Sequence, residues 1–295
     1  MHFFRPPTPS RKVVSALVAV SALATLAGCG ANVEKRDSAA TADVNRCGET
    51  VSYPRPQRAI AYEAGSADKL FALGLEDHML GYVMTPTNPD PATSPYADKY
   101  AASTLLSDDL LNKEVVVDNN ADFVVAGWNS GFSEKRGITP DILDGLGVHS
   151  FMHAESCFNY PGFPEKHRPF EGLWVDFERL GKIFGVEDRA AEVVGGLKKR
   201  VDAVRDSVPA DAPRPKVFLY DSGTDQPSTV GNQVPADEII ETAGGRNIFH
   251  GLDERYTTVS WESVVEENPE MIIIMSYRDQ PAEEKIRFLK NNAAL

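Results

Sequence analysis

Two glutamates occupy matching places in a repeated sequence pattern. Glu114 precedes Asp122 by eight residues, and Glu262 precedes Glu270 by the same interval. The fourteen-residue segments that begin at these two glutamates align without a gap and share four identical residues. In each segment the pattern predicts a short helix, an acidic residue and then a buried strand. A solvated helix face is the commonest place for a glutamate, and the matched placement of Glu114 and Glu262 is what distinguishes them as candidate functional residues.

Aromatic and basic side chains follow several predicted strands, at the positions where α/β proteins bind small ligands. Aromatic rings suit a large planar or macrocyclic ligand, and arginine forks suit the oxygens of an anionic carboxylate or catecholate complex. The alternatives are core packing for each ring and a surface ion pair for each arginine. The ligand-binding residues predicted on this basis are Glu63, Tyr82, Trp128, Asn129, Phe132, Tyr220, Arg246, Tyr256, Tyr277 and Arg278, with His153 and Tyr160 as further candidates.

The N-terminus has the pattern of a secretion signal. Three basic residues, Arg5, Arg11 and Lys12, precede an apolar run of 14 residues at 13–26, which is too short to span a bilayer comfortably. The run ends in Leu26-Ala27-Gly28-Cys29, which resembles a bacterial lipobox. That resemblance implies cleavage before the cysteine and lipid attachment to it; an ordinary secretory signal is the alternative.

Cys47 and Cys157 are the other two cysteines of the chain. Outside the cytoplasm, two such thiols usually pair, so we expect a disulfide. The alternative is a metal site that joins Cys157 to His149 and His153. Residues four apart on a strand lie about 13 Å from each other, which argues against that alternative.

Charge and motif content narrow the classes of function. The net charge is −13 and becomes −16 once the three basic residues of the signal are removed, so nucleic-acid binding is not expected. Gly-x-Ser-x-Gly, Walker A and His-Glu-x-x-His motifs are missing, and the six histidines are scattered. We therefore expect a binding protein without cofactor, metal or catalytic residues. A secreted hydrolase whose Ser/His/Asp site forms only on folding, and a lipoprotein that binds free Zn or Mn ions, are the alternatives.

Helix and strand signals alternate along the body of the chain, which is typical of an α/β fold with a largely parallel sheet. Ser66 and Thr139 are predicted helix caps. The strands are predicted at 58–62, 79–84, 122–126, 147–153 and 216–220. The predicted organisation is a signal peptide at 1–28, a lipid-anchored flexible tether at 29–47, an N-terminal α/β lobe at 48–169, a joining helical segment at 170–208 and a C-terminal α/β lobe at 209–295.

Several short motifs, in order, resemble the substrate-binding lipoproteins of ABC importers for iron-siderophore complexes, haem and vitamin B12. They are the lipobox at Cys29, Leu-Gly-Leu-Glu-Asp at 73–77, Ala-Asp-Phe-Val-Val at 121–125, Leu-Gly-Lys-Ile-Phe-Gly at 180–185, and Trp261-Glu262 followed by Asn-Pro-Glu-Met-Ile-Ile-Ile at 268–274. The resemblance implies two α/β lobes joined by one long helix, with a ligand cleft between them.

The same resemblance implies a ligand and partners. A ferric siderophore, cobalamin, haem or a deazaflavin precursor would bind in the cleft of a monomeric, membrane-anchored protein. Glu114 and Glu262 match the positions at which this family pairs with arginines of the permease, which works with its ATPase. Two features depart from the family pattern: Ala121 replaces a usual proline, and residues 291–295 lie within a predicted helix, so the C-terminal lobe is expected to be incomplete.

Overall fold

The computed structural model of the protein describes residues 41–161 and 166–292. The predicted signal peptide, the predicted lipidation residue Cys29 and the predicted tether as far as residue 40 lie outside the described residues. Within the described ranges, no helix is long and apolar enough to cross a bilayer.

A β-hairpin replaces the last part of the predicted tether. Strand β1 (Thr41–Arg46) pairs antiparallel with β2 (Glu49–Pro54). Cys47 and Gly48 form the loop between them with φ angles of 49° and 87°, and two positive φ angles are what a tight two-residue hairpin turn requires. Because Tyr53 on β2 is fully buried, the hairpin is packed onto the body, and the tether boundary predicted at residue 47 is wrong.

A five-stranded parallel sheet in the order β5-β4-β3-β6-β7 forms the N-terminal lobe. Four of its strands match predicted strands to within two residues, and the short edge strand β5 was not predicted. The elements are β3 (Ala59–Tyr62), α1 (Glu63–Ala72), β4 (Met79–Val83), α2 (Ala97–Ala102), β5 (Leu105–Ser107), α3 (Lys113–Asp118), β6 (Phe123–Ala126), α4 (Pro140–Asp144) and β7 (His149–Met152).

Alternate residues of the central strands enter two hydrophobic clusters on opposite faces of this sheet. Ala59 and Ala61 of β3 belong to one cluster, and Ile60 and Tyr62 belong to the other. This period of two on a sheet covered on both sides explains why the strands have almost continuous apolar sequences.

The start of helix α1 differs from the prediction. The helix begins at Glu63, directly after β3, so Ser66 lies inside the first turn rather than at a cap. Ser66 is fully buried, and its hydroxyl lies 2.8 Å from Nε2 of His153 instead of bonding to its own backbone. A tertiary partner has therefore overridden the local capping preference. Thr139 does cap α4, accepting a hydrogen bond from the amide of Ile142 as predicted.

The joining segment is helical, but it is divided into two helices, α5 (Pro169–Phe184) and α6 (Glu187–Ser207). The single long helix expected from the sequence ends at Gly185, which adopts a left-handed conformation with φ 66°, as glycine does after a helix C-terminus. Side chains of both helices, among them Phe177 and Val194, pack into the first cluster of the N-terminal lobe.

The C-terminal lobe has a smaller parallel sheet in the order β10-β8-β12 and a separate antiparallel pair formed by β9 and β11. The α/β class is thereby confirmed for both lobes. Strand β12 lies at a sheet edge, and its Met271 and Ile272 are 52% and 40% exposed. The elements are β8 (Lys216–Tyr220), β9 (Ser228–Val230), α7 (Pro235–Thr242), β10 (Arg246–Asn247), β11 (Tyr256–Thr258), α8 (Trp261–Glu267), β12 (Met271–Ile274) and α9 (Ala282–Asn291).

The sequence repeat corresponds to equivalent structure in the two lobes. Asp122, just before β6, accepts hydrogen bonds from the amides of Gln57 and Arg58, which lead into the neighbouring strand β3. Glu270, just before β12, accepts one from the amide of Lys216, which begins the neighbouring strand β8. The matched acidic residues therefore fix the start of a paired strand in each lobe.

Candidate ligand-binding cleft

A cavity of about 610 Å³ lies where three strands of the N-terminal sheet end. Because β3, β6 and β7 are parallel neighbours, the residues that follow them converge at one edge of the sheet. The C-terminal lobe closes the other side with Glu254, Arg255 and Tyr256. From the N-terminal lobe the lining residues are Tyr62, Glu63, Gly65, Ser66, Lys69, Gly127, Trp128, Asn129, Ser130, His153, Glu155, Ser156 and Phe158.

Two of the lining residues have strained backbones. Glu63 follows β3, Asn129 follows β6, and each has a φ angle of 66°. A left-handed conformation costs a residue other than glycine roughly 1–3 kcal/mol, with asparagine the more tolerant of the two, and such strain clusters at functional sites. The coincidence of both outliers on one cavity supports its assignment as the binding site.

Close packing holds the loop after β6 in place. A Cβ atom on Gly131 would lie 2.4 Å from Cβ of Ala126 and 2.8 Å from the ring of Tyr62, so only glycine fits there. The amide of Trp128 donates to Oγ of Ser156 at 3.0 Å, which joins this loop to the segment after β7.

Glu63 is a partly buried carboxylate on the cavity wall. Burial raises its pKa above the ordinary value, although its hydrogen bond with Ser130 and the charge of Arg136 lower it in part. Arg136 itself lies behind the loop and donates to the carbonyls of Ser130 and Gly131. Burial outweighs the charge of Arg136, which forms no ion pair with Glu63 among the described residues, so this carboxylate suits a positively charged or hydrogen-bond-donating ligand group.

A buried polar network lies beneath the cavity. His153 has Oγ of Ser66 2.8 Å from its Nε2 and Oδ2 of Asp176 3.2 Å from its Nδ1. Nζ of Lys69 lies 2.9 Å from the same Asp176 oxygen and 3.1 Å from the same imidazole nitrogen. Burial alone would raise the pKa of Asp176, but Lys69 and His153 outweigh it and hold the pKa at about 2.

The Ser66–His153–Asp176 series has the order of a hydrolytic triad. Ser66 borders the cavity, but it is 0% exposed and its hydroxyl is directed to Nε2 of His153, which argues against a nucleophilic role. Nζ of Lys69 also lies 3.1 Å from Nδ1 of His153, the nitrogen that bonds to the carboxylate alone in a hydrolytic triad. The network instead joins α1, the end of β7 and α5 into one rigid floor.

The structure brings together four of the ten ligand-binding residues predicted from sequence. Glu63, Trp128, Asn129 and Tyr256 line the cavity, as does the further candidate His153. Tyr160 packs edge-on against Trp128 with ring centroids 4.7 Å apart.

Three predicted ligand-binding aromatic residues lie in the hydrophobic cores rather than on the cavity wall. Tyr82, Phe132 and Tyr220 are 7%, 0% and 1% exposed. Tyr82 packs edge-on against Tyr100, and the hydroxyl of Tyr220 donates to the carbonyl of Gly223. None of the three lines the cavity.

The remaining predicted residues have other partners. Arg246 lies on β10 opposite Lys216, the first residue of β8. This is the end of the sheet away from the cleft, and Arg246 does not line the cavity. The hydroxyl of Tyr277 donates to Oδ1 of Asp221 at 2.5 Å. Arg278 crosses to the N-terminal lobe and donates to the carbonyls of Met84 and Thr85, at 3.3 and 2.6 Å.

Sequence reasoning missed the charged residues on the two sides of the cleft. Arg255 of the C-terminal lobe lies 3.3 Å from Oε1 of Glu155, which follows β7 in the N-terminal lobe. Glu155 could have been found, because it follows a predicted strand as Trp128 does. Arg255 and Glu254 precede a three-residue strand that no sequence pattern indicated.

Cys47 and Cys157 form a disulfide with their Cα atoms 5.1 Å apart. Both residues are fully buried. The bond joins the turn of the β1–β2 hairpin to the 3₁₀-helix Ala154–Asn159, which carries the cavity residues Glu155, Ser156 and Phe158. It therefore braces one wall of the cleft.

Glu114 and Glu262 are exposed and equivalent in their local structure. Each is the second residue of its helix, α3 or α8, after a capping side chain, Asn112 or Ser260, that accepts a backbone hydrogen bond. Neither glutamate forms an ion pair with a described residue, and neither lines the cavity.

One cluster outside the cleft has metal-ligand spacing among the described residues. Asp237, Glu241 and His250 have ligand atoms within 4.8 Å of one another. The carboxylates already have donors, since Asp237 accepts from Asn247 at 2.7 Å and Glu241 from Arg214 at 2.5 Å. The cluster is accounted for by these structural contacts.

Comparisons with known proteins agree with this architecture. A family model described as periplasmic binding protein matches residues 60–295. The chain therefore belongs to the periplasmic binding protein family, as the motifs indicated.

Individual relatives are distant. The vitamin B12-binding protein of Photorhabdus laumondii is 22% identical over 232 residues, which are 77% of this chain and 74% of that protein. A periplasmic binding protein from Veillonella parvula is 27% identical with a TM-score of 0.70, over 86% of this chain and 84% of that one. An ABC-type Fe3+-hydroxamate transport system from Saccharomonospora viridis is 23% identical with a TM-score of 0.69, over 86% of each chain.

Proposed function

We propose that the protein is the substrate-binding component of an ABC importer. It captures a bulky iron chelate, or a related cofactor such as haem or cobalamin, in the cleft and delivers it to a membrane permease and its ATPase. The observation that carries this function is the 610 Å³ cavity between the lobes, with Trp128, Phe158 and Tyr256 on its walls. Cavities of 300–1,000 Å³ with rings and a few polar groups are typical of ligand sites.

Family membership supports transport rather than catalysis. Among the similar proteins, one is named for vitamin B12 binding and another for Fe3+-hydroxamate transport. Ser66, the serine of the triad-like network, is 0% exposed, which argues against its use as a hydrolytic nucleophile.

Anchoring and docking complete the proposal. The lipobox at Cys29 would attach the protein to the extracytoplasmic face of the cell membrane as a monomer. Glu114 and Glu262 would meet one arginine site on each half of the permease, because both are exposed, have no ion-pair partner among the described residues, and occupy equivalent local structure in the two lobes.

Tryptophan fluorescence tests ligand capture directly. Titration with a ferric hydroxamate, haem and cobalamin should quench emission for at least one of them. Trp128→Phe should remove most of that quenching, since Trp128 lines the cavity. Trp174→Phe is the matched control, because Trp174 lies on α5 against Phe170, away from the cavity. No quenching by any of the three compounds would contradict the proposal.

A further inference from the structure

We propose that the cleft selects a ferric chelate that is neutral or positively charged, and that Glu63 receives a cationic group of that ligand. This inference rests on the proposed function and narrows its ligand class. It replaces the anionic ligand that the arginines of the sequence had suggested.

The charges on the cavity wall favour this selection. The lining residues include three glutamates, Glu63, Glu155 and Glu254, against two cations, Lys69 and Arg255. Both cations are already paired within the protein. Arg255 lies 3.3 Å from Glu155, and Lys69 lies 2.9 Å from the buried Asp176.

Two carboxylates are left without an ion-pair partner among the described residues, Glu63 and Glu254. The arginines expected to receive an anion do not line the cavity. Arg246 lies at the opposite end of its sheet, and Arg278 is hydrogen-bonded to carbonyls of the other lobe. A chelate with several negative charges would therefore meet unpaired carboxylates and no free cation on these walls.

Glu63 is the cavity residue best placed to distinguish a cationic ligand from a neutral or anionic one. It is strained at φ 66°, it is partly desolvated, and it lies beside Trp128 and Asn129 on the same wall. A ligand ammonium would restore the interactions that this carboxylate lost on burial. A neutral group at the same place would leave the carboxylate desolvated without an ion pair to offset the cost.

A matched series of probes tests the selection. Ferrioxamine B is a ferric tris-hydroxamate with a pendant ammonium, N-acetylation makes it neutral without changing the iron centre, and ferric enterobactin is a tris-catecholate trianion. Affinities come from tryptophan quenching at low ionic strength. The ammonium form should bind about tenfold more tightly than the acetylated form, a modest ion-pair difference. The trianion should bind at least about a hundredfold more weakly than the ammonium form.

Glu63→Gln should abolish the preference for the ammonium form while changing affinity for the acetylated form by less than about twofold. Glu178→Gln, at an exposed glutamate of α5 that does not line the cavity, is the control and should keep the full preference. The comparison of the two hydroxamates on the unmodified protein tests the inference even if Glu63→Gln fails to fold.

The outcomes distinguish the charge selection by the cleft from the proposed importer function. Equal affinity for both hydroxamates overturns the role of Glu63, and tight binding of the trianion overturns the selection against anionic chelates. Either result leaves the importer function standing. Binding of haem or cobalamin without any ferric chelate also overturns the selection alone. Failure of every compound to bind overturns both.

Discussion

Lys69 is the cation on which the buried network beneath the cleft depends. Its Nζ lies 2.9 Å from Oδ2 of Asp176, and the Asp176 side chain is 1% exposed. Lys69→Met keeps most of the side-chain volume but leaves the carboxylate buried without its cation. Removing one partner of a buried ion pair costs about 3–5 kcal/mol, so the free energy of unfolding at pH 7 should fall by that amount.

The pH dependence of this effect has a definite sign. The pKa of Asp176 falls from its ordinary value of 3.8 to about 2 in the folded protein, where Lys69 and His153 overcome the effect of burial. A carboxyl whose pKa is lowered in the folded protein contributes its full stabilisation when the pH is above its pKa in the unfolded chain. That stabilisation is lost as the pH falls towards its pKa in the folded protein. Over that interval the unmodified protein should lose about 2 kcal/mol through this group, and Lys69→Met should lose much less.

Urea unfolding followed by fluorescence at pH 7 and pH 2 measures both effects. The double variant Lys69→Met/Asp176→Asn should be more stable at pH 7 than Lys69→Met alone, because it removes the stranded charge. A loss below about 1 kcal/mol at pH 7, or a double variant no more stable than the single one, would refute this reasoning.

Three further predictions concern other parts of the chain. Replacing Cys47 and Cys157 by alanine should cost about 4–5 kcal/mol of unfolding free energy in the chain-entropy model; equal urea midpoints with and without reductant would contradict it. Glu262→Arg or Glu114→Arg should slow uptake strongly and leave ligand affinity within about twofold, because a like charge would face a permease arginine; normal uptake in the double variant would remove the docking role. Cys29→Ala should shift the protein from the membrane to the soluble fraction, and a soluble unmodified protein would exclude lipid anchoring.

The strands and the class of fold were predictable because buried parallel strands have a strong local pattern. Phe123 to Ala126 is apolar at every position and is buried on both faces of the sheet. The repeat was predictable because its two segments match position by position in the sequence. The hydrogen bonds that Asp122 and Glu270 accept at the starts of β3 and β8 were not predictable in this way, because they join residues that lie 65 and 54 positions apart.

The composition of the cleft was only partly predictable, because it depends on which way each side chain turns after a strand. Trp128 and Phe132 lie in the same short loop, yet one lines the cavity and the other is fully buried. The close contact of Gly131 with Ala126 and Tyr62 forces that arrangement. No periodicity in the sequence encodes it. The pairing of Arg255 with Glu155 depends further on how the two lobes meet.

The two lobes contribute different numbers of residues to the cavity, and this difference indicates which lobe determines the selectivity for the ligand. The N-terminal lobe supplies three converging strand ends, whereas the C-terminal lobe supplies Glu254, Arg255 and Tyr256. The buried network and the disulfide both brace the N-terminal wall, since one fixes α1 against the end of β7 and the other holds the segment after β7. A rigid wall keeps Glu63 in its strained position, where a desolvated carboxylate discriminates by charge. Selection should therefore reside mainly in the N-terminal lobe, and the C-terminal residues should chiefly close the cleft over the bound ligand.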